Sequence, residues 1–361
     1  MSSKKTSKTK YQKQWETSLD EYIMAMDWSM SGDLAIASAR GEVKIRRANN
    51  DMVETLLDAS QTNEHPVSCV SFSPQGDLLA VGTIDGRLRV WQIKPDIDLM
   101  KMFEFPKPKQ WIENVQWHPS QPILAFSFGN YVQVWDAEEQ QILTTIPFPD
   151  SSVLDLQWHP TGEYLAMAGK GGIHIWTTSD WDDDPFIAEM DGACSRVAWS
   201  RDGNYLAGDC FDNSVWIWCW ENLETWHLSG FGGKIRNLSW STPPADTAPL
   251  LAISCFNGVI LWKKAEDDND GWFSLPLQAH EGIVEALQFS PCNFSFVSAD
   301  DQGMLFFWNE HGKAEQRFII EDDGFSAIAW HPDGTKLVAG SRNGKVIIWQ
   351  QVIQKRGKGF A

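Results

Sequence analysis

Short runs of alternating apolar and polar residues recur along the whole chain, and three pieces repeat in a fixed order. The first is a strand-like run ending in an aromatic residue, then Ser or His, often followed by Pro: VSCVSFSP (67–74), IENVQWHP (112–119), VLDLQWHP (153–160) and SAIAWHP (326–332). The second is a turn, usually with Gly, leading into a small-apolar run such as DLLAVGT (77–83), EYLAMAG (163–169) or TKLVAGS (335–341). The third is a tight turn and a run that ends in Trp, as in DGRLRVW (85–91), DNSVWIW (212–218) and NGKVIIW (343–349). Alternation at period two, rich in Val and Ile and punctuated by Gly, Asp, Asn and Pro, predicts short strands joined by tight turns. Asp85-Gly86 and Asn343-Gly344 suit hairpin turns that need φ > 0.

The strand-end tryptophans set the period. Trp91, Trp135, Trp176, Trp218, Trp262, Trp308 and Trp349 follow one another at intervals of 44, 41, 42, 44, 46 and 41 residues. A repeat of 40–45 residues marks four-stranded units arranged in a ring. One further copy lies ahead of them at 24–46, with Trp28, Gly32, Leu34, Gly41, Val43 and Ile45 in register and Arg46 where Trp is expected. Because a closed ring removes exposed sheet edges, eight copies predict eight blades. Seven blades with one copy as an appendage is the alternative.

These residues resemble the WD40-repeat family, and the likeness covers about residues 12–352. The implied fold is all-β: a closed β-propeller of eight four-stranded blades. The member is divergent, since Trp-Asp ends a strand only at Trp135-Asp136. The resemblance also implies a buried set of His, Ser or Thr, turn Asp and Trp in each blade. His65, Asp85 and Trp91 match it with Val81 in place of the hydroxyl. His280 and Trp308 match with Ser298, but Gln302 stands at the turn position. Blades that lack the His are expected to rely on packing. One fold hosts many functions, so the family implies a protein-binding scaffold or adaptor only as an expectation.

The last repeat leaves few residues for a fourth strand after Trp349. In this family the ring closes when one terminus completes the other's blade, which nominates residues 13–19 with Trp15 as an anchor. The expected organisation is a basic disordered tail (1–12), the propeller (13–352) and a second basic disordered tail (353–361). Both tails are expected near the face that carries the loops after each Trp strand, where Asp180, Asp182, Asp183, Asp184, Glu266, Asp267, Asp268 and Asp270 gather.

Charge narrows the partners. The net charge is −18, and the basic residues concentrated at both ends leave a still more acidic body. Such a body repels phosphate backbones, so nucleic acid is disfavoured and basic partners are favoured. The start of the chain is basic and polar without an apolar stretch, which argues against a secretory signal and for the cytoplasm. No apolar run reaches a membrane-spanning length. Cys69, Cys194, Cys210, Cys219, Cys255 and Cys292 show no CxxC spacing and read as reduced, structural thiols.

Candidate chemistry is sparse. Phosphate-loop, nucleophile-elbow and zinc-helix motifs are missing, and no enzyme activity, cofactor or metal is expected. His118, His159 and His331 recur in Trp-His-Pro and so read as turn residues rather than ligands. Asp267 to Gly271 only faintly resembles a calcium loop. Counting back from each strand end gives the positions before the Trp-strand turn: Arg40, Ile84, Phe128, Lys170, Phe211, Phe256, Asp301 and Arg342. Aromatic residues at such turns suggest an interface. The expected partner site is therefore Phe128, Phe211, Phe256 and Trp111, with Arg40, Arg236 and Arg342 beside it for acidic groups. Phe231 and Phe325 open on the same face. The partners expected are proteins or peptides, bound by a monomer or within a hetero-complex. Two alternatives are a small-ligand or enzymatic propeller using the central channel, and a nucleic-acid-associated one acting through the tails.

Overall fold

The computed structural model describes residues 9–58, 66–93, 100–106, 110–244, 247–265 and 271–353, and among them every regular element is a strand. Eight antiparallel sheets follow one another around a ring. Blade 1 runs from Ile23–Trp28 to Val53–Leu57, blade 2 from Val67–Phe72 to Met100–Pro106, and blade 3 from Val115–Trp117 to Gln141–Pro147. Blades 4, 5, 6 and 7 open with Asp155–Trp158, Val197–Trp199, Ile235–Trp240 and Val284–Phe289. In each blade the first strand lines the central channel and the last forms the rim. Blade 4 is four-stranded like the others, although its middle strands form one element, Tyr164–Thr177. That element doubles back at Lys170-Gly171, with Gly171 and Gly172 at φ of 89° and 124° and the Thr178 N–H bonded to the Glu163 carbonyl.

Eight hydrophobic clusters decide the blade number. Each spans two neighbouring blades, and one of them, with Ile23, Trp28 and Leu34 against Val338, Val346 and Ile348, joins blade 1 to blade 8. A blade's apolar face is thus buried only by its neighbour, so the repeat units depend on the closed circle.

Closure uses the N-terminal segment. Blade 8 consists of Phe325–Trp330, Lys336–Ser341, Lys345–Ile353 and, as its rim strand, Thr9–Ser18. Ser18 pairs with Lys345 and Lys13 with Trp349, and the pairing reaches back to Thr9, beyond the expected start at residue 13. Trp15 is an anchor as expected, with the buried Arg46 guanidinium 5.2 Å from its ring centroid. This contact accounts for Arg at the blade 1 position where other blades carry Trp. A second anchor is Tyr11, stacked on Phe307 at 4.3 Å and hydrogen-bonded through its backbone to Gln316. Residues 1–8 and 354–361, the acidic run 266–270 and His65 lie outside the described residues.

The inner edge of each first strand faces the channel and would leave main-chain groups unpaired. Side chains from the preceding blade supply partners. The Phe72 N–H donates to Asp27 at 2.7 Å, Val197 to Asp155 at 3.0 Å, Trp199 to Gln157 at 2.5 Å and Phe289 to Ser239 at 2.9 Å. In the other direction the Trp117, Trp158 and Trp240 Nε1 groups donate to the carbonyls of Ser71, Gln116 and Ala198.

The residue after each first-strand aromatic is buried and polar: Ser29, Ser73, His118, His159, Ser200, Ser241, Ser290 and His331. The histidines take the turn role expected of them. His118 Nδ1 accepts the N–H groups of Ser120 and Gln121, which leaves Nε2–H to donate to the Gly162 carbonyl of blade 4 at 3.2 Å. His159 repeats this with Thr161 and Gly203 of blade 5.

Blade 7 holds a complete buried network. Trp308 Nε1 donates to Ser298 Oγ at 2.8 Å, the Ser298 hydroxyl donates to His280 Nε2 at 2.6 Å, and His280 Nδ1–H donates to Asp300 at 2.8 Å. The carboxylate absent at Gln302 is supplied by Asp300. In blade 2 Val81 is buried beside Trp91. There the Thr83 hydroxyl bonds Asp85, which pairs with Arg87 at 3.1 Å.

Candidate functional site

The face of interest carries the turns between second and third strands and the connections into each following blade. Its expected aromatic residues separate into two groups. Phe211 and Phe256 are 60% and 57% exposed at the turns of blades 5 and 6, and Trp111 is 60% exposed on the connection into blade 3. Phe128 is a correction: it is 5% exposed, packed against Phe126 and under Tyr131, because it ends the second strand of its blade with an inward register. Phe325 is likewise buried, and Phe231 leans on Trp262.

Phe256 has a further peculiarity. Its φ is +48°, the left-handed region, which is costly for a bulky side chain. The turn holds it there through the Phe256 carbonyl, which accepts the Val284 N–H of the next blade at 2.9 Å. The ring is thereby left in solvent rather than folded over the channel.

The arginines divide as well. Arg236 and Arg342 both reach Glu285, at 2.9 and 3.1 Å, and Arg342 also lies 3.5 Å from Asp301. They form a cross-blade cluster at the channel mouth instead of standing open for a partner. Tyr22 lies beside this cluster, and burial raises its phenol above the ordinary range, followed by the Glu285 charge. Arg40 is half-buried at its blade 1 turn, with Nε unbonded.

Two residues that the repeat counting passed over complete the picture. Arg196 and Lys234 are exposed just ahead of the inner strands of blades 5 and 6. With Asn114, Leu154, Asp155, Ser195, Ile235 and Arg236 they line a cleft of about 310 Å³. Lys234 Nζ stands 5.8 Å from the centroid of the Phe211 ring, and the Phe256 Cβ borders Gly233. The structure therefore groups Phe211, Phe256, Arg196, Lys234 and Arg236 at blades 5 and 6. Trp111 borders a separate cavity with Gln110, Glu113 and Asn130. A signal for this grouping was available. Three positions before the first-strand aromatic stand Asn114, Asp155, Arg196 and Asn237 in four successive blades, where the remaining blades have Ala or Cys.

The central channel, of about 710 Å³, is lined by polar as well as apolar side chains. Gln157, Ser239 and Gln288 nevertheless accept main-chain N–H groups of the next blade, and Asn237 donates to the Glu285 carbonyl. Those groups are committed to holding blades together rather than converging on a point. Burial pushes the Asp27 and Asp155 carboxyls up to about 6, against the main-chain N–H groups that they accept. Among the described residues no group of three His, Cys, Asp or Glu is arranged to hold a metal. All six cysteines are free thiols; Cys194, Cys210 and Cys255 are buried, and Cys292 is exposed.

Comparison with known proteins bears on the family. A family model described as the anaphase-promoting complex subunit 4 WD40 domain matches residues 26–96. The WD domain, G-beta repeat, matches 140–177, 186–219, 272–309 and 315–350. Telomerase protein component 1 of Mus musculus is 22% identical over 80% of this chain, which spans only 10% of that protein. The ribosome biogenesis protein WDR12 homolog of Drosophila sechellia is 22% identical over 40% of this chain and 38% of its own length. A chain in the crystal structure of the mitotic checkpoint complex superposes with a TM-score of 0.64 at 17% identity, covering 98% of this chain and 95% of that one; this likeness concerns the fold. With the ring of eight blades, the recurring Trp-terminated strands and the His–Ser–Trp–Asp network of blade 7, the chain belongs to the WD40-repeat family as a divergent member.

Proposed function

We propose that this chain is a non-catalytic scaffold that holds protein or peptide partners on the face bearing Phe211, Phe256 and Trp111. The observation that carries the reading is the exposure of three large aromatic side chains on one face, one of them held there by a left-handed backbone. Exposed aromatic residues at rigid turns lose little conformational entropy on binding and are enriched among residues that dominate interface energy. The commitment of Gln157, Ser239, Gln288 and Asn237 to interblade bonds supports a binding rather than a catalytic role. One matching family model is described by the anaphase-promoting complex, and the chain of similar fold comes from a structure of the mitotic checkpoint complex, which agrees with work inside an assembly.

Affinity purification from the native cell, read by mass spectrometry, tests the proposal. The comparison is between wild type and a Trp111→Asp, Phe211→Asp, Phe256→Asp variant shown to be folded. Phe128 is left intact, because a charge there would enter the core. Specific proteins recovered with wild type and lost with the variant are the expected result. Partners that persist on the variant would contradict the assigned face, and recovery of nothing above background would contradict the scaffold.

A further inference from the structure

We infer that the cleft at the mouth of blades 5 and 6 receives an acidic peptide segment, its carboxylates at Arg196 and Lys234 and its apolar side chains against Phe211 and Phe256. This rests on the scaffold reading above and adds the chemistry of the partner.

Charge complementarity carries the argument. The chain has 48 acidic against 30 basic residues, so an exposed cation would be expected to find a carboxylate nearby. Arg236 does so through Glu285. Arg196 and Lys234 form no ion pair among the described residues, although four carboxylates stand close in the fold. Each of those is already engaged. Asp209 is buried and accepts the N–H groups of Ser195 and Arg196 at 2.6 and 2.7 Å. Asp155 accepts the Val197 N–H, Asp212 bonds Ser214, and Glu285 bridges Arg236 and Arg342. Arg196 acts electrostatically on the buried Asp155, but neither it nor Lys234 has an ion-pair partner among the described residues; what sets this pair apart from other exposed cations is its place in one cleft beside two exposed phenyl rings.

The aromatic half points to a peptide rather than a polyanion. Lys234 is held over the Phe211 ring, so cation and apolar surface are offered together. A segment in which Asp or Glu alternates with Leu, Ile or Phe matches both. A nucleic-acid strand would bring many phosphates toward a body of net charge −18, and two cations do not offset that repulsion.

The test is selection of a random peptide library displayed on phage against the full chain, followed by affinity measurement on Arg196→Glu, Lys234→Glu. A neutral Arg196→Gln, Lys234→Gln pair guards against misfolding of the reversed variant. Enriched peptides should carry Asp or Glu next to aliphatic or aromatic residues. Their affinity should fall by about tenfold or more in both variants and weaken with salt. Basic or charge-neutral winners, no enrichment, or affinities indifferent to the variants would overturn the inference. Retention of a random RNA pool by wild type but not by the reversed variant would overturn it in favour of nucleic acid. Native partners that leave with Phe211→Asp, Phe256→Asp but stay with the charge variants would leave the scaffold face standing and remove the acidic peptide. Partners insensitive to every variant would remove the face itself.

Discussion

The inner strands place titratable residues where opposite responses to pH meet. Asp27 and Asp155 have folded pKa values near 6, above the ordinary 3.8, because burial outweighs the main-chain N–H groups that they accept. Their contribution to stability is complete below the unfolded value and is lost as pH rises through 6. His118 and His159 are held below 6.5 by burial, which outweighs the Gly162 and Gly203 carbonyls, so their contribution is present above 6.5 and is lost as pH falls. The double variant Asp27→Asn, Asp155→Asn isolates the first pair. It should lose stability relative to wild type at pH 5 and recover most of that difference at pH 8, with a swing on the order of 2 kcal/mol per carboxyl. Denaturant titrations at the two pH values check this; a difference independent of pH would contradict it. In blade 7, His280→Ala would strip partners from Ser298 and from Asp300, whose carboxyl burial pushes up but whose hydrogen bonds, His280 foremost, bring below the ordinary range. A loss of about 1–3 kcal/mol for each orphaned group is expected in the same titration.

At the scale of elements, stability lies in the joints between blades, and two of these can be probed separately. The first is the histidine joint. A Cβ at Gly162 would come within 2.0 Å of His118 Nε2, whereas a Cβ at Gly171 meets nothing within 4 Å, and both residues have positive φ. Gly162→Ala should therefore cost clearly more than Gly171→Ala, whose penalty is the backbone's alone, about 1 kcal/mol. Equal penalties would remove the joint from the account. The second is the closing strand. Tyr11→Ala should destabilise by about 3–5 kcal/mol, as expected for truncating a buried aromatic, and deletion of residues 1–20 should cost more, since it leaves the outer edge of Lys345–Ile353 unpaired, with only Lys336–Ser341 on its inner side. Thermal melts of both read this out. The closing strand was legible in the sequence from Trp349 ending a third strand and from Trp15, but Tyr11 was not, because its stacking on Phe307 joins residues that only the ring brings together. Asp300 was missed for a local reason: the network takes its carboxylate from the strand end rather than from the turn, a shift invisible to position counting.

For the whole molecule, the repeat period made the architecture legible, because every unit buries its apolar face against an equivalent neighbour and must repeat the same apolar pattern eight times. The candidate site was less legible, because function departs from the repeat. Phe128, Phe211 and Phe256 occupy equivalent positions in sequence, yet a small difference in where strand gives way to turn buries the first and exposes the others. Arg236 and Arg342 read as free cations until folding placed Glu285 between them, while Arg196 and Lys234, away from the counted positions, were left open. The central claim is that this face holds a partner. Hydrogen exchange of the chain alone and saturated with a partner recovered from the cell tests it most directly. Protection is predicted in the turns around Phe211 and Phe256 and at Arg196 and Lys234, with the rim strands unchanged. Protection confined to the rim strands or to the opposite face would contradict the account.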